Sequence, residues 1–215
     1  MTFLPLEISP FTAVAFLLLL VYHLGLLAMK GRFPEATIYA RNAATRAAWV
    51  REMMVNQRDI LAVQTLRNWT MAASFLASTA ILIALALLNI VLTPGHPTTE
   101  ASMQMFSFLG KRIESLHQIK MLILSVDFFF TFFNFTMAIR YYNHLGFMIN
   151  APSDSDSSAL ASVVETIQYG AAHYTLGMRG YYLSVPLALW LFGPGWLLAG
   201  TLIIIATLCH VDRTG

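Results

Sequence analysis

The segment from Leu122 to Met148 is long enough and apolar enough to cross a membrane, yet it carries one polar side. Polar residues recur every seven positions from just before this segment, with Thr131 between them: Lys120, Asp127, Asn134 and Tyr141. On a helix this spacing places them along one face. A carboxylate that faces hydrocarbon costs about 2.5 kcal/mol or more at the bilayer centre. Asp127 is therefore expected to face protein or water.

The composition indicates an integral membrane protein. Charged residues make up 11% of the chain and apolar residues 57%, whereas soluble domains are about 25% charged. The chain has 215 residues, room for four or five spans within a single membrane domain over residues 1–215. Cys209 is the only cysteine, and no two histidines have the spacing of helical metal ligands, so neither a metal nor a cofactor is expected.

The distribution of basic residues predicts the orientation in the membrane. Seven of the thirteen lysines and arginines lie between positions 30 and 68, and the positive-inside rule places such a segment in the cytoplasm. The N-terminus is then external, and the first apolar segment is a retained anchor.

Pro34 and Glu35 resemble a helix start, followed by an amphipathic helix at the membrane interface or, equally, a basic cytoplasmic arm.

The apolar segments predict an all-α membrane protein, a bundle of five transmembrane helices of which several extend into the cytoplasm. Long helices are expected from near Asp59, from His117 to Asn150, and from Ala159 to Phe192, where Gly193 and the residues after it interrupt the helix. The spans are about 10–29, 71–92, 120–141, 174–192 and 196–210, and the cytoplasmic segments are about 30–70 and 142–173. Five spans put the C-terminus in the cytoplasm, whereas the alternative of four spans puts it outside.

Several sequence patches resemble a known family of bacterial and plant membrane proteins. The most specific run from Val63 to Asn68 (VQTLRN) and from Trp190 to Pro194 (WLFGP), and others are Tyr22-His23, Arg140-Tyr-Tyr-Asn143 and Gly177-Met-Arg179-Gly-Tyr-Tyr182. The chain is similar over nearly its whole length to the domain-of-unknown-function-599 family. The resemblance implies a multi-span helical protein of the bacterial inner (cell) membrane and assigns no catalytic residue.

Three arginines form the first candidate site. Arg67, Arg140 and Arg179 each stand where a long helix is expected to enter the membrane from the cytoplasm, and Gln64 and Asn68 accompany them. A guanidinium group offers a rigid set of donors that suits a phosphate or a carboxylate. The group is therefore a candidate site for an anion or a lipid headgroup. The alternative is that each arginine reaches the lipid surface separately.

The second candidate site is a polar seam made of Asp127, Thr131, Asn134 and Lys120. To these we add His23, the one histidine well inside a span, although its depth differs from that of Asp127. The seam could be a hydrated path or a proton relay. It could also be a hydrogen-bonded contact that holds helices together.

Two functions follow from these residues. The first is a homo-oligomeric channel or transporter-like protein with the arginine cluster at its cytoplasmic side. The second is a non-conducting accessory, scaffold or lipid-binding subunit of a larger membrane complex. An enzyme is the third and least favoured interpretation, because no catalytic motif is present. Membrane lipids are the expected partners, and nucleic acid is not expected.

Overall fold

The computed structural model describes residues 9–32, 38–93, 114–150 and 157–214, and within them the chain forms six α-helices and no β-strand. The helices are α1 (Pro10–Arg32), α2 (Ile38–Val55), α3 (Asp59–Leu92), α4 (Glu114–Asn150), α5 (Ser157–Trp190) and α6 (Pro194–Thr214). The prediction of an all-α chain is confirmed. The helix start expected at Pro34 lies outside the described residues.

The helix boundaries follow from local chemistry. Asp59 begins α3, as predicted, because a carboxylate in the first turn complements the helix dipole. The break after α5 is also confirmed: Gly193 has φ +147°, a conformation that L side chains rarely adopt, and Pro194 starts α6. Between α2 and α3 the chain turns at Gln57, which has φ +48°.

The chain divides into two compact units. The first contains Met1–Thr37, Leu87–Leu124 and Tyr182–Gly215, and the second contains Ile38–Ala86 and Ser125–Tyr181. The single domain over residues 1–215 stays a prediction.

The second unit is built on apolar contacts among α2, α3, α4 and α5. One core cluster consists of Val50, Met53, Ala62, Leu66, Ala138, Tyr142, Leu145, Ile149, Val163 and Ile167. Beside it, Ala73 and Ala77 of α3 pack against Phe135 of α4. The small side chains of these two alanines, four residues apart, leave room for the Phe135 ring.

In the first unit α1 packs against α6. Phe16 of α1 meets the Trp190 ring edge-on at 5.3 Å between centroids. A Cβ on Gly200 would lie 3.1 Å from the Cα of Pro186, so the glycine allows α6 to approach the last turns of α5.

Two helices are long and apolar enough to cross a membrane, judged by length and composition over the described residues: Asp59–Leu92 and His117–Asn150. Only 17% of the most apolar stretch of α3 is buried, against 44% for α4, so α3 presents most of its apolar surface outward. Pro10–Gly25 and Pro194–His210 are shorter apolar helices.

Candidate functional site

Helix α5 lies against α4 through glycines, and the two helices run antiparallel in the second unit. Gly170 meets Tyr142 and Gly177 meets Phe135, in each case so closely that an added Cβ would stand 2.8 Å from the aromatic ring. Further along α5, a Cβ on Gly180 would overlap the Thr131 hydroxyl. The missing side chains therefore set how closely α5 approaches the polar face of α4.

The polar residues of α4 turn toward this contact. Asp127 is 8% exposed, Thr131 is fully buried and Asn134 is 3% exposed. Burial of three polar side chains on one helix face is costly unless they find partners. The predicted inward direction of the seam is thus observed for these three residues.

Asn134 pairs with His173 of α5. The Asn134 amide nitrogen donates to the Phe130 carbonyl at 2.9 Å, which leaves Oδ1 as an acceptor. The Nδ1 of His173 lies 3.0 Å from that oxygen. An Nδ1–H donor satisfies both groups, and it leaves Nε2 of a neutral ring free of a proton.

Aromatic rings extend the polar groups from His173 toward water. Tyr141, the fourth member of the seven-residue pattern, stacks on His173 with 5.6 Å between ring centroids and on Tyr169 with 5.7 Å. The exposed Tyr169 hydroxyl donates to Glu165 at 3.1 Å. This hydrogen bond to a carboxylate is the main cause that raises the pKa of Tyr169 above its ordinary value.

Two buried oxygen atoms of α4 have no hydrogen-bond partner: Oδ2 of Asp127 and Oγ1 of Thr131. They belong to residues four apart, which are neighbours on a helix surface. An unsatisfied buried polar group costs about 1–3 kcal/mol, and more when it is charged. The structure therefore holds two costly oxygen atoms, on residues one helical turn apart, on the face of α4 that contains Asn134.

The remaining seam residues have contacts of their own in the first unit. Lys120 donates to the Trp190 carbonyl at 3.0 Å, at the C-terminal end of α5, and its ammonium lies 5.3 Å from the centre of the Trp190 ring. This is the place where a cation complements the helix dipole. His23 donates from Nδ1 to the Leu19 carbonyl of its own helix at 2.7 Å.

The three predicted arginines all lie in the second unit, where Arg67 and Arg140 are exposed and Arg179 is half-buried. Gln64 and Asn68 are exposed as well. Within the described ranges no hydrogen bond brings the three guanidinium groups to a shared partner. Their common site stays a prediction.

A different arginine is held more firmly than the sequence indicated. Arg46 of α2 donates twice to Oε1 of Gln168, at 3.0 Å from Nε and 2.7 Å from Nη2. The Gln168 amide nitrogen in turn donates to the Ala43 carbonyl at 2.8 Å. This interaction fixes α2 on α5. Nothing in the spacing of either helix pairs positions 46 and 168.

His173 and Gly180 were also missed as members of the site. The seven-residue interval from Gly170 to Gly177 was a readable signal for a close helix contact.

No group of three His, Cys, Asp or Glu side chains is placed to hold a metal in the part of the chain that the structure describes.

Comparison with known proteins gives one result. The family described as "Protein of unknown function, DUF599" matches residues 11–215, nearly the whole chain. No curated protein and no solved structure matches it. The match covers the helices that hold the polar face of α4 and agrees with the resemblance of the sequence patches; the chain belongs to the DUF599 family.

Proposed function

We propose that this chain is an integral membrane protein, a channel or a transporter, that moves protons along the polar face of α4. The observation that carries the proposal is Oδ2 of Asp127, a buried carboxylate oxygen without a partner in a helix long enough to cross a membrane. Such intramembrane acids mark ion and proton pathways.

Polar groups continue from Asp127 along the same side of α4. Thr131 follows after one turn, and Asn134 with His173 after another. From Asp127 to Tyr141 the helix rises about 21 Å at ~1.5 Å per residue, most of a ~30 Å hydrocarbon core. Tyr169 and Glu165 then connect this row with water.

Each group has a definite part in the transfer. Asp127 accepts a proton on Oδ2 and releases it again, so the carboxyl alternates between neutral and charged. Nε2 of His173 accepts and returns a proton in the same way. The other titratable residues of α5 from His173 to Tyr181 are Tyr174, Arg179 and Tyr181, and the Tyr181 hydroxyl donates to the Leu76 carbonyl at 2.7 Å. Helix α3 has no titratable residue from Thr70 to Ala86.

The same proposal places the chain in the bacterial inner membrane with its N-terminus outside. Five helical segments span the bilayer, α2 lies at the cytoplasmic interface, and the protein works as a homo-oligomer among membrane lipids. The outward apolar surface of α3 supports contact with lipid or another subunit. Arg67, Arg140 and Arg179 bind an anion or lipid headgroups at the cytoplasmic side.

Proton flux in proteoliposomes tests the proposal. Asp127→Asn keeps the shape of the side chain and removes the titrating charge, so we expect the protein to fold while proton flux under an imposed pH gradient falls by about 100-fold or more. Asp59→Asn makes the same chemical change at an exposed carboxylate of the same unit and should leave the flux intact. Equal flux in the Asp127→Asn protein and its parent would contradict the proposal.

A second candidate function is the non-conducting accessory or scaffold subunit. Its support is the close packing of α5 on α4, since Gly170, Gly177 and Gly180 bring the two helices together around the buried seam. Under this alternative the polar residues only hold helices together. A parent protein that melts cooperatively and shows no flux under any ion gradient would favour this role over transport.

A further inference from the structure

We propose that Asp127 and Thr131 form a binding site for a small monovalent cation of the Na⁺ class. This inference rests on the proposed transport function and names the ion that would compete there with the proton. Both oxygen atoms are buried and unpartnered, and both belong to side chains at least nine-tenths buried.

The direction of the Thr131 hydroxyl is the first argument. Threonines in helices commonly donate to the carbonyl four residues earlier, and seven described threonines of this chain do so: Thr45, Thr65, Thr79, Thr136, Thr166, Thr175 and Thr207. Thr131 does not. Its hydroxyl points toward Gly180 of α5 and does not donate to the Asp127 carbonyl.

Gly180 explains how this direction is possible. A Cβ at position 180 would stand on the Thr131 hydroxyl and 3.2 Å from the Thr131 Cβ. Only glycine leaves room for the oxygen between the helices. A glycine inside a helix is about 1 kcal/mol less favourable than alanine. It nevertheless stands at the position where the Thr131 hydroxyl needs space.

The chemistry of the oxygen atoms indicates the kind of ion. A carboxylate, a hydroxyl and a carbonyl oxygen are hard donors, which suit hard cations and not soft metals. Asp127 supplies one negative charge. A divalent cation would leave a net positive charge in an apolar interior, which is expensive. A monovalent cation balances the carboxylate.

Thermal melting of the purified protein in detergent tests the site. At pH 8 and constant ionic strength, NaCl should raise Tm relative to choline chloride, by about 5 °C or more once the ion stands 100-fold above its Kd. KCl should raise Tm less, because the larger ion fits less well beside Gly180. Equal melting temperatures in NaCl and choline chloride would overturn the proposal.

Matched variants locate the effect. Thr131→Val keeps the side-chain shape without the oxygen and should lose the Na⁺ shift, whereas Thr131→Ser should keep most of it. Thr201→Val is the control, since Thr201 is equally buried and unpartnered but lies in the first unit. A Na⁺ shift that persists in Thr131→Val, or disappears in Thr201→Val, would contradict the assignment.

Melting and flux separate this inference from the proposed function. A Na⁺ shift that Thr131→Val removes, in a protein without flux, would support the cation site and contradict transport. Asp127-dependent proton flux without any Na⁺ shift would support transport and overturn the cation site.

Discussion

The two charged residues of the polar side of α4 are treated in opposite ways. Lys120, in the first unit, has a carbonyl at hydrogen-bond distance and an aromatic ring beside it. Asp127, seven residues later in the second unit, has a buried oxygen with no partner. A satisfied charge contributes to folding, whereas an unsatisfied one costs stability and persists only where something else requires it. Lys120 is therefore the structural end of the seam, and Asp127 belongs to its functional part.

Removal of the satisfied charge should have the largest effect on stability. Lys120→Met keeps the apolar stem but loses a charge-assisted hydrogen bond to the end of α5, so we expect a loss of about 1.5–3 kcal/mol in the free energy of unfolding. Proton flux per folded protein should not change. Chemical denaturation and liposome flux together measure both quantities. A flux loss without a stability loss would place Lys120 in the proton path and contradict its purely structural role.

Alanine at two of the three glycines of the α4 contact should separate packing from polar function. In Gly177→Ala the new methyl group meets the fully buried Phe135 ring at 2.8–2.9 Å, and such overpacking costs about 1–3 kcal/mol. Gly180→Ala should cost less, because the Thr131 hydroxyl can rotate to the Asp127 carbonyl, the bond that seven other threonines make. It should nevertheless abolish the Na⁺ shift. Retention of that shift in Gly180→Ala would show that the hydroxyl direction does not matter.

Replacing Thr201, a fully buried threonine of the first unit, should give the smallest change in stability. Thr201→Val replaces an unpartnered hydroxyl by a methyl group of similar size, so we expect a gain of about 1 kcal/mol in the free energy of unfolding. Thr131→Val should stabilise the second unit by a similar amount while it removes ion binding. Thermal melts in choline chloride check both. A loss of stability in either variant would indicate a polar partner for that hydroxyl.

Sequence periodicity predicted one face of the seam and not its partners. The spacing of Asp127, Asn134 and Tyr141 was enough to place them on one side of a helix, because that geometry is local. The pairing of Asn134 with His173 depends on the register between two helices, which the period of either one leaves open. The direction of the Thr131 hydroxyl depends in turn on a glycine 49 positions away.

Helix limits were predictable for a similar reason. Asp59 and the Gly193–Pro194 break act through the backbone within a turn or two. The number of spans was not predictable. The helices α1 and α6 are short and apolar, and their length alone does not distinguish a span from a packed helix.

Infrared difference spectroscopy of the protein in lipid shows whether Asp127 exchanges protons, because it detects the protonated form of a single carboxyl group. As the pH falls, a carboxylic acid band of Asp127 should appear, should be absent from Asp127→Asn, and should remain in Lys120→Met. Na⁺ should shift its appearance to lower pH, since the ion favours the charged carboxylate. If no band depends on Asp127 at any pH at which the protein stays folded, the carboxyl does not exchange protons and the proposed proton transport is wrong.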